Sequence, residues 1–474
     1  MQNKTFKSCF AAVLCGLAAT ANAVDYDLWV NNERFTSSKL TINCGSGTAV
    51  FNGSSTLTLN SALITNSCAI DGLGAGIVSR LSALTVTVNS SCIISNVWGA
   101  GITTANSLGG GGAELSRNLA FAGTGLLRIH TTNAATGYGV YCTGDSWNQS
   151  ATKIYIHSAT TGICAKWRFA QRSSNLGFTI ITDSGPGIFT TNSFDYASGA
   201  GSYLNIDAAG DGIVCGTYSH SGVSPLAIKA GGYGIRRTLP GGLTISDLDQ
   251  TFSIESVSNC FDVSGSITLS RHGILRSKDQ ALATTNGAIT LGARRFNIAS
   301  TNTAIQASTS ISASTSTITI DSGSTSFKAA TGLTLDTCTV TAKVSQASSA
   351  LAELTSGNFK ITRGSFVGTS AGRGFVLGGT VTPATFYNLS GNVALATGGD
   401  GLDGTTGSTA RYSGGIFRVT GAAGTKSIDL ADGDPALFLY GVSITDGGVS
   451  QPNIVIRSQA SYTWAATAPD ALWS

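Results

Sequence analysis

Apolar and polar residues alternate over short stretches along most of this chain, for example at residues 84–88, 154–157 and 204–207. A period of two places the apolar side chains on one side of an extended strand and Thr, Arg or Asn on the other. The pattern therefore predicts many short β-strands, each half-buried. Abundant Ser, Thr, Val, Ile and Gly support strands and tight turns over helices.

A second pattern sets the length of the repeat. An apolar residue that often follows Gly-x-Gly returns every 21 to 26 residues, apart from one interval of 38. These anchors are Ile77, Ile102, Val140, Ile163, Ile188, Ile213, Ile235, Phe261, Leu282, Ile305 and Phe327.

A unit of this length that contains two or three strands is one coil of a β-helix, and a single coil must stack on neighbours to bury its inner side. We therefore predict an all-β fold, a right-handed parallel β-helix over residues 54–474, with irregular C-terminal coils. The interval of 38 predicts one coil that carries a loop inserted at 107–117.

Residues 1–23 have the features of a secretory signal peptide. Lys4 and Lys7 precede an apolar run over residues 10–19, and Ala21-Asn22-Ala23 is a small-x-small cleavage site. No later stretch is apolar enough to be a transmembrane segment. We expect export, a secreted or cell-surface location and no membrane span.

Charge is sparse. Only 11% of residues are charged, and the net charge is +3. Nucleic-acid binding proteins carry a clustered basic face, which this composition does not provide. We therefore expect no nucleic-acid partner.

The segment after the signal peptide differs from the repeats. It reads YDLWVNN at 26–32, GSGTAVF at 45–51 and LTLNSA at 57–62. It resembles the opening of bacterial carbohydrate-binding domain-containing proteins, although Asn32 replaces the usual Gly and Phe51 the usual Tyr. The resemblance implies an exported, pectate-lyase-like right-handed β-helix that binds polysaccharide. Residues 24–53 are predicted to form a cap, because the end of a solenoid exposes unpaired strand edges.

Aromatic and basic residues in the middle coils are candidates for binding sugars. Sugar rings stack on aromatic faces, and basic side chains pair with acidic sugars. The candidates are Trp147, Trp167, Tyr138, Tyr155, Lys166 and Arg168. The alternative interpretation is that the aromatic side chains fill corners of the solenoid and the basic ones are solvated.

Asp183 and Asp207 each follow an alternating strand, and Asp211 is near. Stacked carboxylates repel unless a cation or a basic side chain lies between them. Calcium is therefore a candidate cofactor, and solvated aspartates in turns are the alternative.

No catalytic residue is assigned. The N-T-D, D-D, G-H-G and R-I-K series of β-helical pectin hydrolases does not occur in this sequence. The first hypothesis is a secreted, non-catalytic protein that binds polysaccharide, with acidic, pectin-like glycans as one option. The alternatives are a structural or adhesive surface rod and a calcium-dependent polysaccharide lyase.

Eight cysteines follow the signal peptide, and Cys44, Cys68 and Cys92 are spaced by 24 residues. Cys68 and Cys92 share one local sequence frame, so they are predicted to stack in adjacent coils. Stacked positions lie about 4.8 Å apart, which suits a disulfide. We expect a Cys68–Cys92 bond, with Cys44–Cys68 as the competing pair and buried, reduced thiols as the alternative.

Overall fold

The structure of the protein is a computed structural model. The structure describes residues 23–106, 115–148, 151–172, 174–379, 382–399, 401–404, 408–412, 415–421, 424–430, 437–440, 445–446, 449–450 and 456–457. All regular secondary structure in these ranges is β-strand, and parallel coils stack into a β-solenoid of about 13 turns. The predicted all-β parallel β-helix is therefore confirmed.

Each coil contributes three strands, which stack on the same strands of the neighbouring coils and form three long faces. In chain order a coil supplies face 1, face 2 and then face 3, as in Ile163–Ala165, Arg168–Gln171 and Gly177–Thr182. The next coil returns to face 1 at Ile188–Thr190, which pairs in parallel with Ile163–Ala165.

The strands of face 1 are Ile77–Ser79, Ala100–Thr103, Tyr138–Cys142, Ile163–Ala165, Ile188–Thr190, Ile213–Cys215, Ile235–Arg237, Phe261–Val263, Leu282–Thr284, Ile305–Ala307, Phe327–Ala329, Ala350–Leu354, Arg373–Leu377 and Leu402–Gly404. The strands of face 2 are Ala83–Val88, Asn118–Gly123, Ser146–Asn148, Arg168–Gln171, Ser193–Ser198, Thr217–Gly222, Ile289–Leu291, Ser310–Ser314, Ala384–Leu389 and Thr409–Tyr412. The strands of face 3 are Ser91–Val97, Leu126–Thr131, Lys153–Ser158, Gly177–Thr182, Tyr203–Ala208, Leu226–Ala230, Arg295–Ser300, Thr317–Ser322, Gly391–Thr397 and Gly415–Gly421. Four longer strands run through faces 2 and 3 together: Leu243–Ser256, Ile267–Ser277, Gly332–Val344 and Gly357–Ser370.

The predicted anchors form one continuous row along face 1. Ile163, Ile188 and Ile213 lie opposite one another in successive coils, and the same register extends from Ile77 to Phe327. The alternating strands, however, belong to two faces and not to one. Residues 84–88 lie on face 2, whereas 204–207 lie on face 3. Both faces have the same alternation because both cover the same apolar core.

Small residues precede the anchors because a side chain from face 3 reaches toward them. A β-carbon at Gly212 would meet the Cγ2 methyl of Ile228 and the carbonyl oxygen of Gly234. Where the glycines end, other small residues occupy this position, all of them fully buried: Cys260, Ala281, Ala304 and Ser326. One coil reverses the arrangement, since Leu351 fills the space that Gly368 leaves open.

Antiparallel strands cover the N-terminal end. Asp25–Val30 pairs antiparallel with Glu33–Thr36 and with Ile77–Ser79. Thr41–Cys44, Gly47–Phe51 and Thr56–Asn60 form an antiparallel meander. The last of these strands stacks in parallel on Ala83–Val88, so the coils begin there. The predicted signal peptide lies, up to residue 22, outside the described residues, as do positions 107–114 of the predicted inserted loop.

Antiparallel pairing returns near the C-terminal end, where irregular coils were predicted. Gly415–Gly421 pairs with Gly424–Leu430, and Thr409–Tyr412 pairs with Leu437–Tyr440. The remaining described strands are Leu63–Ile64, Thr445–Asp446, Val449–Ser450 and Ile456–Arg457. No helix in the described ranges is long and apolar enough to cross a membrane.

Candidate functional site

A row of charged side chains of alternating sign runs along the outer side of face 3. Its members, in successive coils, are Asp207, Lys229, Glu255, Arg276, Asp321 and Lys343, and Ala299 interrupts the row between Arg276 and Asp321. Each follows an inward residue of the core, so alternation directs it outward. Lys229 Nζ lies 3.3 Å from Asp207 Oδ2. Opposite charges directly across a pair of strands attract, whereas like charges repel, so the alternation favours this register.

Every member of this row except Lys343 lines an elongated groove. A depression of about 720 Å³ extends from the coil of Asp207 to the coil of Ser345. A second depression of about 280 Å³ continues toward the N-terminus past Asn205 and Thr179, and shares Asp207, Lys229 and Glu255 with the first. At about 4.8 Å per coil, the larger depression alone is on the order of 30 Å long. The groove is long and partly open, which suits an extended polymer better than a small ligand.

The charges in the groove are balanced. The larger depression is lined by three carboxylates and three basic side chains: Asp207, Glu255, Asp321, Lys229, Arg276 and Lys278. Together with Asn205, Ser253 and Thr301 they offer hydrogen-bond donors and acceptors at regular intervals along the axis. Such a surface can bind hydroxyl groups along a chain.

Sequence reasoning named Asp207 as a metal candidate and missed the rest of this row. The signal is present in the sequence, since Lys229, Glu255 and Arg276 each directly follow an inward aliphatic residue and change sign from coil to coil. Recognising it requires the register of face 3, which unequal loop lengths obscure.

The predicted sugar-binding residues divide between different surfaces. Lys166 and Trp167 occupy the corner between faces 1 and 2, and Arg168 begins the face 2 strand there. Trp167 is 54% exposed, whereas Arg168 is paired with Asp145 at 2.7 Å. The Lys166 ammonium lies 5.8 Å from the centre of the Tyr141 ring.

The other aromatic candidates lie farther along the strands. Tyr138 begins a face 1 strand and packs edge-on against Tyr141 at 4.9 Å. Trp147, half-buried on face 2, lies between Ala120 and Ala170 of the adjacent coils. Tyr155 lies on face 3, directly across from Thr179, which lines the second depression. Of the six candidates, Tyr155 is therefore the one on face 3. Its row continues through Thr179 and Asn205, whereas the charged row passes through His157 in the coil of Tyr155.

Each of the three predicted calcium-binding aspartates has a basic neighbour. Asp183 lies 3.0 Å from His157, Asp207 is paired with Lys229, and Asp211 lies 3.5 Å from Arg236. Asp211 also accepts a hydrogen bond from the backbone N–H of Tyr233 at 2.8 Å. Within the part of the chain that the structure describes, no three His, Cys, Asp or Glu side chains come together so as to hold a metal ion. Calcium binding stays a prediction.

Face 1 has ion pairs of its own. Lys328 pairs with Glu353 at 3.3 Å in the next coil, and Arg236 lies 3.3 Å from Asp262. Partial burial raises the pKa of the Asp262 carboxyl, while the Arg236 guanidinium opposes the shift. Ion pairs between coils therefore occur on more than one face, whereas the groove described above lies on face 3.

The predicted disulfide is wrong. Cys92 lies in a face 3 strand, opposite Leu127 of the next coil. The backbone of Cys68 instead pairs with Ala75 in an isolated bridge, outside the three stacked faces. Equal spacing thus does not place them in one register. All eight described cysteines, including Cys44, are buried free thiols. Burial raises the pKa of the Cys68 thiol to about 11 and that of Cys215 to about 12.

Fold and groove together define a parallel β-helix protein with an elongated, charge-balanced groove on one outer face. Comparison with family models, with curated proteins and with solved structures gives no match. The resemblance of residues 26–62 to carbohydrate-binding domain-containing proteins stays a prediction.

Proposed function

We propose that this protein is exported and binds an extended polysaccharide chain along face 3 without cleaving it. The observation that supports this proposal is the groove itself, which runs parallel to the solenoid axis and carries polar and ionic side chains from one coil after another. A polymer of sugars presents hydroxyl groups repeatedly along its length. Each coil can therefore contribute one set of hydrogen bonds.

Other classes of ligand fit the groove less well. Nucleic acid requires an excess of basic side chains, whereas this groove balances them with carboxylates. The centre of a protein interface is depleted of charged residues, whereas the centre of this groove carries Lys229, Glu255 and Arg276. Polyhydroxylated chains remain the best match.

Affinity electrophoresis in gels that contain xylan, glucomannan, β-glucan or polygalacturonate tests this proposal. The wild-type protein should be retarded by at least one polymer. Loss of one hydrogen-bonding side chain costs about 0.5–1.5 kcal/mol, so Lys229→Ala and Glu255→Ala should each weaken binding roughly 2- to 12-fold.

Lys328→Ala is the matched control. Lys328 and Lys229 both pair with an acid of the adjacent coil at 3.3 Å, but Lys328 lies on face 1. Its removal should leave retardation unchanged. Equal losses in the two lysine variants, or no retardation by any polymer, would contradict binding on face 3.

A further inference from the structure

A third depression, of about 380 Å³, lies at the start of face 3, where face 2 turns into it. It is lined by Thr251, His272, Gly273, Ile274, Arg295 and Asn297. It adjoins the groove, because Ser253 of the groove lies directly opposite Ile274, and Ile274 lies opposite Asn297. A chain on face 3 would pass its opening.

The polar groups of this depression can donate hydrogen bonds. The His272 Nδ1 atom accepts a hydrogen bond from the backbone N–H of Arg295 at 3.0 Å. Nδ1 is therefore the acceptor, and Nε2 carries the hydrogen of the neutral ring. The Arg295 guanidinium, the Thr251 hydroxyl and the Asn297 amide add further donors.

The charge of this depression differs from that of the groove. Among the lining residues that the structure describes there is no carboxylate, and Arg295 forms no ion pair with the described part of the chain. Arg295 is also exposed, so its guanidinium is available to a ligand. A guanidinium beside neutral donors is the arrangement that binds oxyanions, with hydrogen bonds that are shorter and stronger than neutral ones.

We propose that this depression is an anion subsite, which holds a sulfate or carboxylate group carried by the polysaccharide on face 3. This inference rests on the proposed function and narrows its ligand to a polymer with anionic substituents. Arg295 would contact the anion with two N–H groups, and His272 Nε2–H would fix its position. The backbone of Arg295 holds the imidazole in the orientation that this contact requires.

The subsite can be tested without the polymer. The chain has four histidines, so their imidazole signals in an NMR spectrum are few, and the His272→Asn variant assigns the signal of His272. Inorganic sulfate and glucuronate, titrated separately, should each shift that signal to saturation, and the better probe identifies the preferred anion. Arg295→Gln should weaken the binding of the better probe at least roughly tenfold.

Arg294→Gln is the matched control, because Arg294 is the neighbouring arginine and does not line the depression. It should leave the titration unchanged. Absence of a saturable shift with both probes, or an unchanged titration in Arg295→Gln, would overturn the subsite even if polysaccharides bind to face 3.

The polymer arm compares polygalacturonate with its methyl-esterified form, and a sulfated galactan with its desulfated form. The wild-type protein should bind the anionic member of a pair more tightly than the neutral member. In His272→Asn and Arg295→Gln the ratio of the two affinities should fall toward one. If the small anions bind to the subsite but no polymer retards the protein, the proposed function is overturned and the subsite is not.

Discussion

Alanine at Gly76 should destabilise the β-helix, because this glycine begins the row of small residues along face 1. A β-carbon there would lie 2.6 Å from Cγ2 of Ile94 and 3.1 Å from the carbonyl oxygen of Gly101. Carbon atoms in ordinary contact are about 3.5–4.0 Å apart, so one wall of the coil must move by about 1 Å. Both neighbours belong to packed strands, which yield little.

The expected magnitude follows from two opposing effects. Overpacking a core costs about 1–3 kcal/mol. Replacing glycine by alanine also restricts the unfolded chain, which returns about 0.4–1 kcal/mol where the backbone allows it. Gly76 lies outside the left-handed region, so this gain applies. The free energy of unfolding should therefore fall by roughly 1–2 kcal/mol.

Gly332→Ala is the control. A β-carbon at Gly332 would have Ser310 Cβ at 3.5 Å and Asn358 O at 3.8 Å, which are ordinary contacts. The entropic gain should then act alone, and stability should stay the same or rise by up to about 1 kcal/mol. Gly76→Ala should thus lower stability, whereas Gly332→Ala should not.

Denaturant unfolding, monitored by far-UV circular dichroism, measures the stability of both variants. Hydrogen exchange of residues 77–103 adds a local measurement, because coils of a solenoid can unfold separately. In the double variant Gly76→Ala/Ile94→Ala, the loss of stability should be smaller than the sum of the losses in the two single variants, since the contacting methyl is gone. Equal stability of Gly76→Ala and Gly332→Ala would refute the packing argument.

Three further predictions concern charges and thiols. Lys229→Glu aligns three acids in adjacent coils and should lower the free energy of unfolding by about 0.2–1 kcal/mol for each like-charge pair. This loss should shrink in 1 M NaCl, and a loss that does not depend on salt would contradict the prediction. Ellman's reagent should find eight thiols in the unfolded, unreduced mature protein and almost none in the native one; fewer than eight would restore a disulfide. Burial raises the pKa of Cys215 from 9.0 to about 12, so stability should decline as pH rises from about 9 toward 12. The decline should be smaller in Cys215→Ala, and identical plots of stability against pH for the two proteins would contradict this.

The stacking of coils could be predicted from the sequence because one constraint repeats in every coil. The residue that enters face 1 must be apolar and must follow a small residue, and both features are visible from Ile77 to Phe327. The number of strands in a coil was less accessible. Residues 84–88 and 126–131 have the same alternation but lie on faces 2 and 3, since both faces are buried on one side only.

The cysteines show why equal spacing is a weak guide to register. Cys68 and Cys92 are 24 residues apart, close to the length of a coil. Cys68, however, lies in the irregular segment between Leu63–Ile64 and Ile77–Ser79, whereas Cys92 lies within a strand. Loops of different length between the faces allow two residues one repeat apart to occupy different positions around the solenoid.

The candidate site could be predicted only in part. The charged residues of each strand can be read from the local sequence, whereas the shape of the groove depends on many coils together. Outward charged residues follow from alternation, and ion pairs between coils occur on face 1 at Lys328 as well as on face 3 at Lys229. Charge alternation alone therefore stabilises a stack of coils and specifies no ligand. The groove on face 3 depends on how the strands and corners of many coils lie together, which no local pattern in the sequence reports. Comparing Lys229→Ala, which lies in the groove on face 3, with Lys328→Ala on face 1 thus separates an effect on binding from an effect on stability, which neither variant could do alone.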